Sequence, residues 1–111
     1  LNSNIGLNLP NGWSKVASGF TTLEKGVLTT ISCGFKPKFI YYVTYGSDGA
    51  PERCGEYNAS ISTKQYVATA SSYLNSISIG STAGTINAII DNGFVLNKFT
   101  SSKSMFWVAI G

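Results

Sequence analysis

The chain has 111 residues, of which 12% are charged and 43% hydrophobic, with a formal charge of +3. That length bounds it to one domain with one core, small enough to gain from contacts between copies, and its apolar content excludes a disordered chain, which needs low hydrophobicity and high charge. No apolar run approaches the ~18 to 20 residues that span a bilayer. The cations, Lys15, Lys25, Lys36, Lys38, Lys64, Lys98 and Lys103 with Arg53 alone mid-chain, are scattered rather than gathered into the basic face of a nucleic-acid binder.

The first twelve residues, LNSNIGLNLPNG, are rich in Asn and Gly, hold a Pro and show no periodicity. They read as a linker or the last part of an upstream shaft, and the start at Leu1 without a basic and apolar leader reads as a fragment of something longer. The folded unit is expected over 13–111. Its first strands are predicted at 13–20, 27–33 and 38–46, the third launched by the turn GFKPK at 34–38. There Gly34 permits unusual backbone angles, and Pro37 fixes its own while pushing Lys36 towards extended conformations. In the third strand Phe39, Tyr41, Val43 and Tyr45 share one face and Ile40, Tyr42 and Thr44 the other. Residues 46–59, with SDGAPERCGEY at their heart, read as a solvated loop because of their Gly, Pro and charges.

Strands are predicted again at 60–69, 73–80, 84–91, 94–99 and 104–110. VATASSYLNSISI comes nearest to a helical period, but its Ser content and the alternation of Ile77 and Ile79 favour a strand. Asp91-Asn92-Gly93 between TINAII and FVLNKF is a hairpin signal, with Asn92-Gly93 suited to a tight type I′ turn. In the last strand Met105, Trp107 and Ala109 oppose Phe106, Val108 and Ile110. Regular spacing with turn residues between the runs is the signature of an all-β sandwich or barrel. The third and last strands are apolar on both faces, so the second face must meet another layer, a partner subunit or a ligand.

The available chemistry is thin. The chain has no His, which removes the usual general base, the nucleophile triads and most zinc sites. Cys33 and Cys54 are too far apart for a CxxC motif, and form a disulfide only if their strands are neighbours. Among the acids, Asp48, Glu52 and Glu56 share one segment and could supply a glycosidase pair. They lack the regular spacing of a calcium loop, and local ion pairing with Arg53 accounts for them better. Tyr57, beside the polar segment, and Tyr66 and Tyr73, flanking the Ser/Thr-rich middle, are the aromatic residues best placed to stack on a ligand. Tyr41 and Trp107 lie in the middle of strong strands and are assigned to packing.

Taken together, GFKPK at 34–38, DNGF at 91–94 and the terminal FWVAIG at 106–111 resemble the C-terminal domains of tail fibres and other tail proteins of phages and prophages. The resemblance covers roughly 19–111 and is strongest at its two ends; every matching residue is structural, and the stretch 46–81 matches no pattern. It implies an antiparallel, jelly-roll-like β-sandwich, assembled as a homotrimer on an upstream tail fibre shaft and carried on the virion tail. It also implies assembly in the bacterial cytoplasm, hence free thiols at Cys33 and Cys54. The function it implies is host attachment by non-catalytic recognition of a bacterial surface polysaccharide or wall polymer, without cofactor, metal, nucleic acid or membrane insertion. The expected ligand-binding residues are Asp48, Glu52, Arg53, Tyr57, Asn58, Tyr66 and Tyr73. Two other readings stand beside it: a structural module that trimerises or decorates a tail, and a small carbohydrate-active enzyme domain.

Overall fold

The structure, a computed structural model, describes residues 12–69 and 72–111, except the side chains of 72–74. The reading of the first residues as a linker lies outside them but for Gly12. The chain forms β1 (Val16–Leu23), β2 (Thr29–Ser32), β3 (Phe39–Tyr45), β4 (Pro51–Asn58), β5 (Lys64–Thr69), β6 (Ser72–Ser78), β7 (Ile86–Ile90), β8 (Gly93–Leu96) and β9 (Lys103–Ile110). They make a six-stranded sheet in the order β1-β9-β3-β4-β5-β6 and a three-stranded sheet in the order β2-β8-β7. All the named pairings are antiparallel. The all-β sandwich expected from the sequence is the observed architecture.

Each predicted strand has a counterpart, and β4 is an addition, because it occupies the segment read as a loop. Pro51 stands at the first position of that strand, where a missing N–H is tolerated. Gly55 sits mid-strand because the Tyr42 ring lies directly over it, in the space a Cβ would need. A glycine and three charges in eight residues carry little strand propensity, so here tertiary packing decides the conformation.

The core lies between the sheets. From the large sheet come Leu23, Ile40, Tyr42, Met105, Trp107 and Ala109, and from the small one Ile31, Ile86, Phe94 and Leu96, all buried. Phe94 and Trp107 meet edge to face across the gap, with centroids 5.8 Å apart at 79°. Trp107 lies over Gly19 of β1, where a Cβ would come within 2.8 Å of the indole. Buried Gln65 joins the sheets as a surrogate strand partner: its Nε2 donates to the Ile86 carbonyl at 2.9 Å, and its Oε1 accepts from the Ile86 N–H at 2.9 Å.

The other face of the large sheet carries Val16, Phe20, Phe39, Tyr41, Val43, Phe106, Val108 and Ile110, by the alternation of paired strands. No strand of the described chain packs over it. Phe20 is 69% exposed, and Tyr41 and Phe106 are each 37% exposed. The face division predicted for β3 and β9 is therefore the one observed, and its second apolar face is left uncovered.

The three motifs converge on one end of the sandwich. Gly34, at φ +89°, turns the chain so that the Cys33 and Gly34 N–H groups both donate to the Asn92 carbonyl. Phe35 packs against Gly111, and Lys38 N–H donates to the Ile110 carbonyl at 2.8 Å. Ser14 and Lys15 donate to the Gly111 carbonyl, so the chain enters the fold at this same end. The DNG hairpin is present, but its turn is not of type I′. Ile90 pairs with Gly93 across a turn of Asp91 and Asn92, and no non-glycine among the described residues has a positive φ. Gly93 is a strand residue that is needed because a Cβ there would strike the Ile31 carbonyl of β2.

Candidate functional site

At the opposite end, β3 runs into the 46–50 turn and β4 returns from it. The turn is closed by Gly46 N–H to the Ala50 carbonyl and Gly49 N–H to the Gly46 carbonyl, with Gly49 at φ +79°. Asp48 Oδ1 accepts from the Ala50 N–H at 3.0 Å, a local side-chain cap of the kind Asp makes in turns. Thr44 pairs with Arg53 while Tyr45 pairs with Pro51, so Glu52 is the extra residue of a β-bulge. The bulge re-aims Glu52 over Gly46 and onto Lys103 at the start of β9, with which it forms an ion pair.

Arg53 points inward from β4 and donates from Nη1 to the Ala83 carbonyl at 3.0 Å. Gly84, at φ +73°, allows that approach, since a Cβ there would collide with the guanidinium. Between these groups lies a cleft of about 240 Å³, lined by Thr44, Glu52, Arg53, Thr69, Phe99 and Lys103 among others. A hollow of about 220 Å³ continues from Lys103 past Ser102, Ser104 and Ser47 to Tyr45. A third, of about 370 Å³, is lined by Phe20, Tyr45, Ser47, Gly49 and Ser104 among others. The Phe20 and Tyr45 rings stack, with centroids 6.2 Å apart at 25°.

This geometry divides the residues expected to act together. Asp48, Glu52 and Arg53 stay together around the turn. Tyr57 is at the other end of β4, facing inward and packed against the core. Asn58 is engaged locally, accepting from Ser60 N–H at 3.1 Å and from Ser60 Oγ at 2.7 Å. Tyr66 lies on the outward face, where with Tyr41, Cys54 and Glu56 it lines a separate hollow of about 150 Å³. The side chain of Tyr73 lies outside the described residues. The recognition loop expected over 46–59 is thus corrected to a short turn followed by a strand, because β4 pairs along its length with β3 and β5. Strand alternation then sends Arg53 and Tyr57 to one face and Glu56 and Asn58 to the other.

Sequence reasoning missed Lys103, Tyr45 and Phe20. In the sequence Lys103 is one of the scattered charges, and only the pairing of β9 beside β3 brings it to Glu52. Tyr45 and Phe20 were read within strands, although the Gly46 break after Tyr45 marks a ring at a strand end. Of the three carboxylates, Glu52 is engaged by Lys103, Asp48 lies near it over Gly46 and accepts from the turn backbone, and Glu56 projects with Tyr41 and Tyr66 from the outward face. No group of three or more His, Cys, Asp or Glu lies together among the described residues. Cys33 and Cys54 are half-buried and not bonded to each other. Buried Tyr42 has a hydroxyl with no hydrogen-bond partner among the described residues. Burial raises its pKa well above 10.0, against a smaller lowering by Arg53 and with a further rise from Cys54.

No helix among the described residues is long and apolar enough to cross a membrane. No family model, curated protein or solved structure matches the chain.

Proposed function

We propose that this domain is the tip of a phage or prophage tail protein, recognising a bacterial surface glycan or wall polymer without catalysis. The observation that carries the reading is the polarity of the sandwich. The three motifs that carry the resemblance to tail proteins and the point where the chain enters the fold lie at one end. The 46–50 turn and its cleft lie at the other. A shaft joined at the motif end would hold the cleft outward, where Asp48, Glu52, Arg53 and Lys103 meet the host surface. The bare apolar face of the large sheet supports assembly as a homotrimer, since exposed apolar surface of that kind marks interfaces. Three weak sites on one particle then gain through effective concentration.

The uncovered face also favours a second reading, a structural module that trimerises or decorates a tail and has no host ligand. Adhesion of the labelled full chain to a panel of gut and Gram-positive bacteria, before and after periodate treatment of their surface sugars, separates the two. Recognition requires adhesion to at least one strain, lost after periodate, lost in Arg53→Glu and kept in Lys36→Glu at the motif end. Thermal midpoints of both variants within a few degrees of the parent show that they fold. Adhesion to no strain, or adhesion untouched by Arg53→Glu, overturns the recognition reading and leaves the structural one.

A further inference from the structure

We infer that the three hollows around the 46–50 turn form one track for an uncharged, hydroxyl-rich saccharide chain, with the Phe20 and Tyr45 rings as its stacking platform. The inference rests on the glycan-recognition reading above and names its ligand class and its aromatic subsite. The hollows share lining residues around the end of the large sheet. The cleft and the middle hollow share Lys103, and the middle hollow and the outer one share Tyr45, Gly46, Ser47 and Ser104.

The platform follows from exposure and geometry. Phe20 is among the most exposed large apolar side chains described, at 69%, yet it is held by the stack on Tyr45 rather than free. Two rings within 25° of parallel present flat apolar surface beside the Ser47 and Ser104 hydroxyls. A pyranose offers the complement, a flat patch of C–H groups edged by hydroxyls.

The charge balance selects the class. Glu52 is matched by Lys103, Asp48 Oδ1 is already accepting from the turn backbone, and Arg53 is donating to the Ala83 carbonyl. Of the charged side chains that line the hollows, Glu52 and Lys103 cancel and Arg53 is tied to the Ala83 carbonyl, so an anion arriving here would meet a single cation not matched by a carboxylate. A sugar hydroxyl both donates and accepts, so it can use Glu52 and Lys103 together without breaking their pairing.

The test titrates the full chain against a neutral glucan, a neutral galactan, a uronate polymer and a glycerol-phosphate wall polymer, at low and high salt. The parent and Phe20→Ser are compared, with the solution mass of each measured in parallel. The expected result is binding to a neutral polymer that changes less than about twofold with salt and falls about tenfold in Phe20→Ser at unchanged mass. Binding that is confined to the acidic polymers and falls steeply with salt overturns the ligand class. Neutral binding untouched by Phe20→Ser, or a lowered mass in that variant, overturns the platform while the recognition function stands. A parent that binds none of the four, yet adheres to bacteria, also overturns the track. A parent that does neither overturns the recognition reading and the track with it.

Discussion

Gln65 is the sharpest place to test the packing argument, because one buried side chain closes two backbone hydrogen bonds between sheets. In Gln65→Leu the volume is nearly kept and both bonds to Ile86 are lost. The Ile86 carbonyl retains the Gly80 N–H at 3.0 Å, whereas its own N–H loses the partner described here. An orphaned buried donor costs about 1 to 3 kcal/mol and a lost neutral bond about 1 kcal/mol, while the added apolar burial returns roughly 1 kcal/mol. The net loss is about 2 kcal/mol against a total of roughly 5 to 15 kcal/mol for a domain of this size. Urea unfolding followed by Trp fluorescence, at fixed protein concentration, should show a midpoint lowered by about 1 M for a slope near 2 kcal/mol per M. A Gln65→Glu variant adds a pH signature. Its carboxylate would face the Ile86 carbonyl, so the folded pKa lies above the unfolded value near 4.3. Stability is then fullest below about pH 4 and falls as pH rises through the folded pKa. A Leu variant as stable as the parent, with a Glu variant indifferent to pH, would refute the bridge between the sheets.

Tyr42→Phe should be neutral or stabilising by up to about 1 kcal/mol, since it removes a buried hydroxyl without a partner among the described residues. Because burial raises the Tyr42 pKa, the folded state holds that proton above pH 10 while the unfolded one releases it. The parent should lose about 1.4 kcal/mol per pH unit above pH 10 to this group, and chemical denaturation at pH 9 to 11 should show that slope reduced in Tyr42→Phe. Gly19→Ala should cost about 1 to 3 kcal/mol by driving a methyl into the Trp107 indole, with a thermal midpoint several degrees lower; an unchanged midpoint would refute the close packing. For the seam, light scattering should give three times 11.8 kDa for the parent and a single-chain mass for Phe106→Lys, whose charge would be desolvated between protomers. A parent monomeric at every concentration would sink the trimer.

What the sequence made legible was what short-range pattern controls. The aromatic alternation of 39–45 and 104–110 placed every side chain of β3 and β9 on its observed face, because a strand period of 2 needs no tertiary information. The turn at Gly34 was readable for a similar local reason. The order of strands was not, since nothing in the residues of β9 says that it inserts between β1 and β3. The loop reading of 46–59 fails over 51–58, where local propensity and tertiary demand conflict: Gly55 is a weak strand former, yet only Gly fits beneath Tyr42. That single error assembled Asp48, Glu52, Arg53, Tyr57 and Asn58 into one imagined surface, which the pleat of β4 divides between two faces and two ends.

The uncovered face and the proposed track use parts of the same sheet, and their positions keep them compatible. Phe106, Val108, Ile110, Phe39, Tyr41 and Val43 occupy the adjacent central strands β9 and β3. Tyr45 ends β3 at the 46–50 turn, and Phe20, on β1 directly opposite Phe106, reaches it along the same uncovered face, with Ser47 and Ser104 beside them. An interface buries its apolar middle and leaves a polar, solvated rim, so a threefold seam centred on the Tyr41–Val108 and Phe39–Ile110 pairs, towards the motif end, would leave the Phe20 and Tyr45 rings at its margin. The tracks of neighbouring protomers would then open beside one another at the end away from the shaft. On this geometry Tyr41→Lys, one pair further from the turn than Phe106 and outside the track, and Phe20→Ser should separate cleanly. The first lowers the mass and weakens adhesion to cells through lost multivalency while sparing affinity for a single polymer chain. The second lowers that affinity at constant mass. A Tyr41→Lys chain that becomes monomeric yet adheres to cells as strongly as the parent would break the link between assembly and attachment.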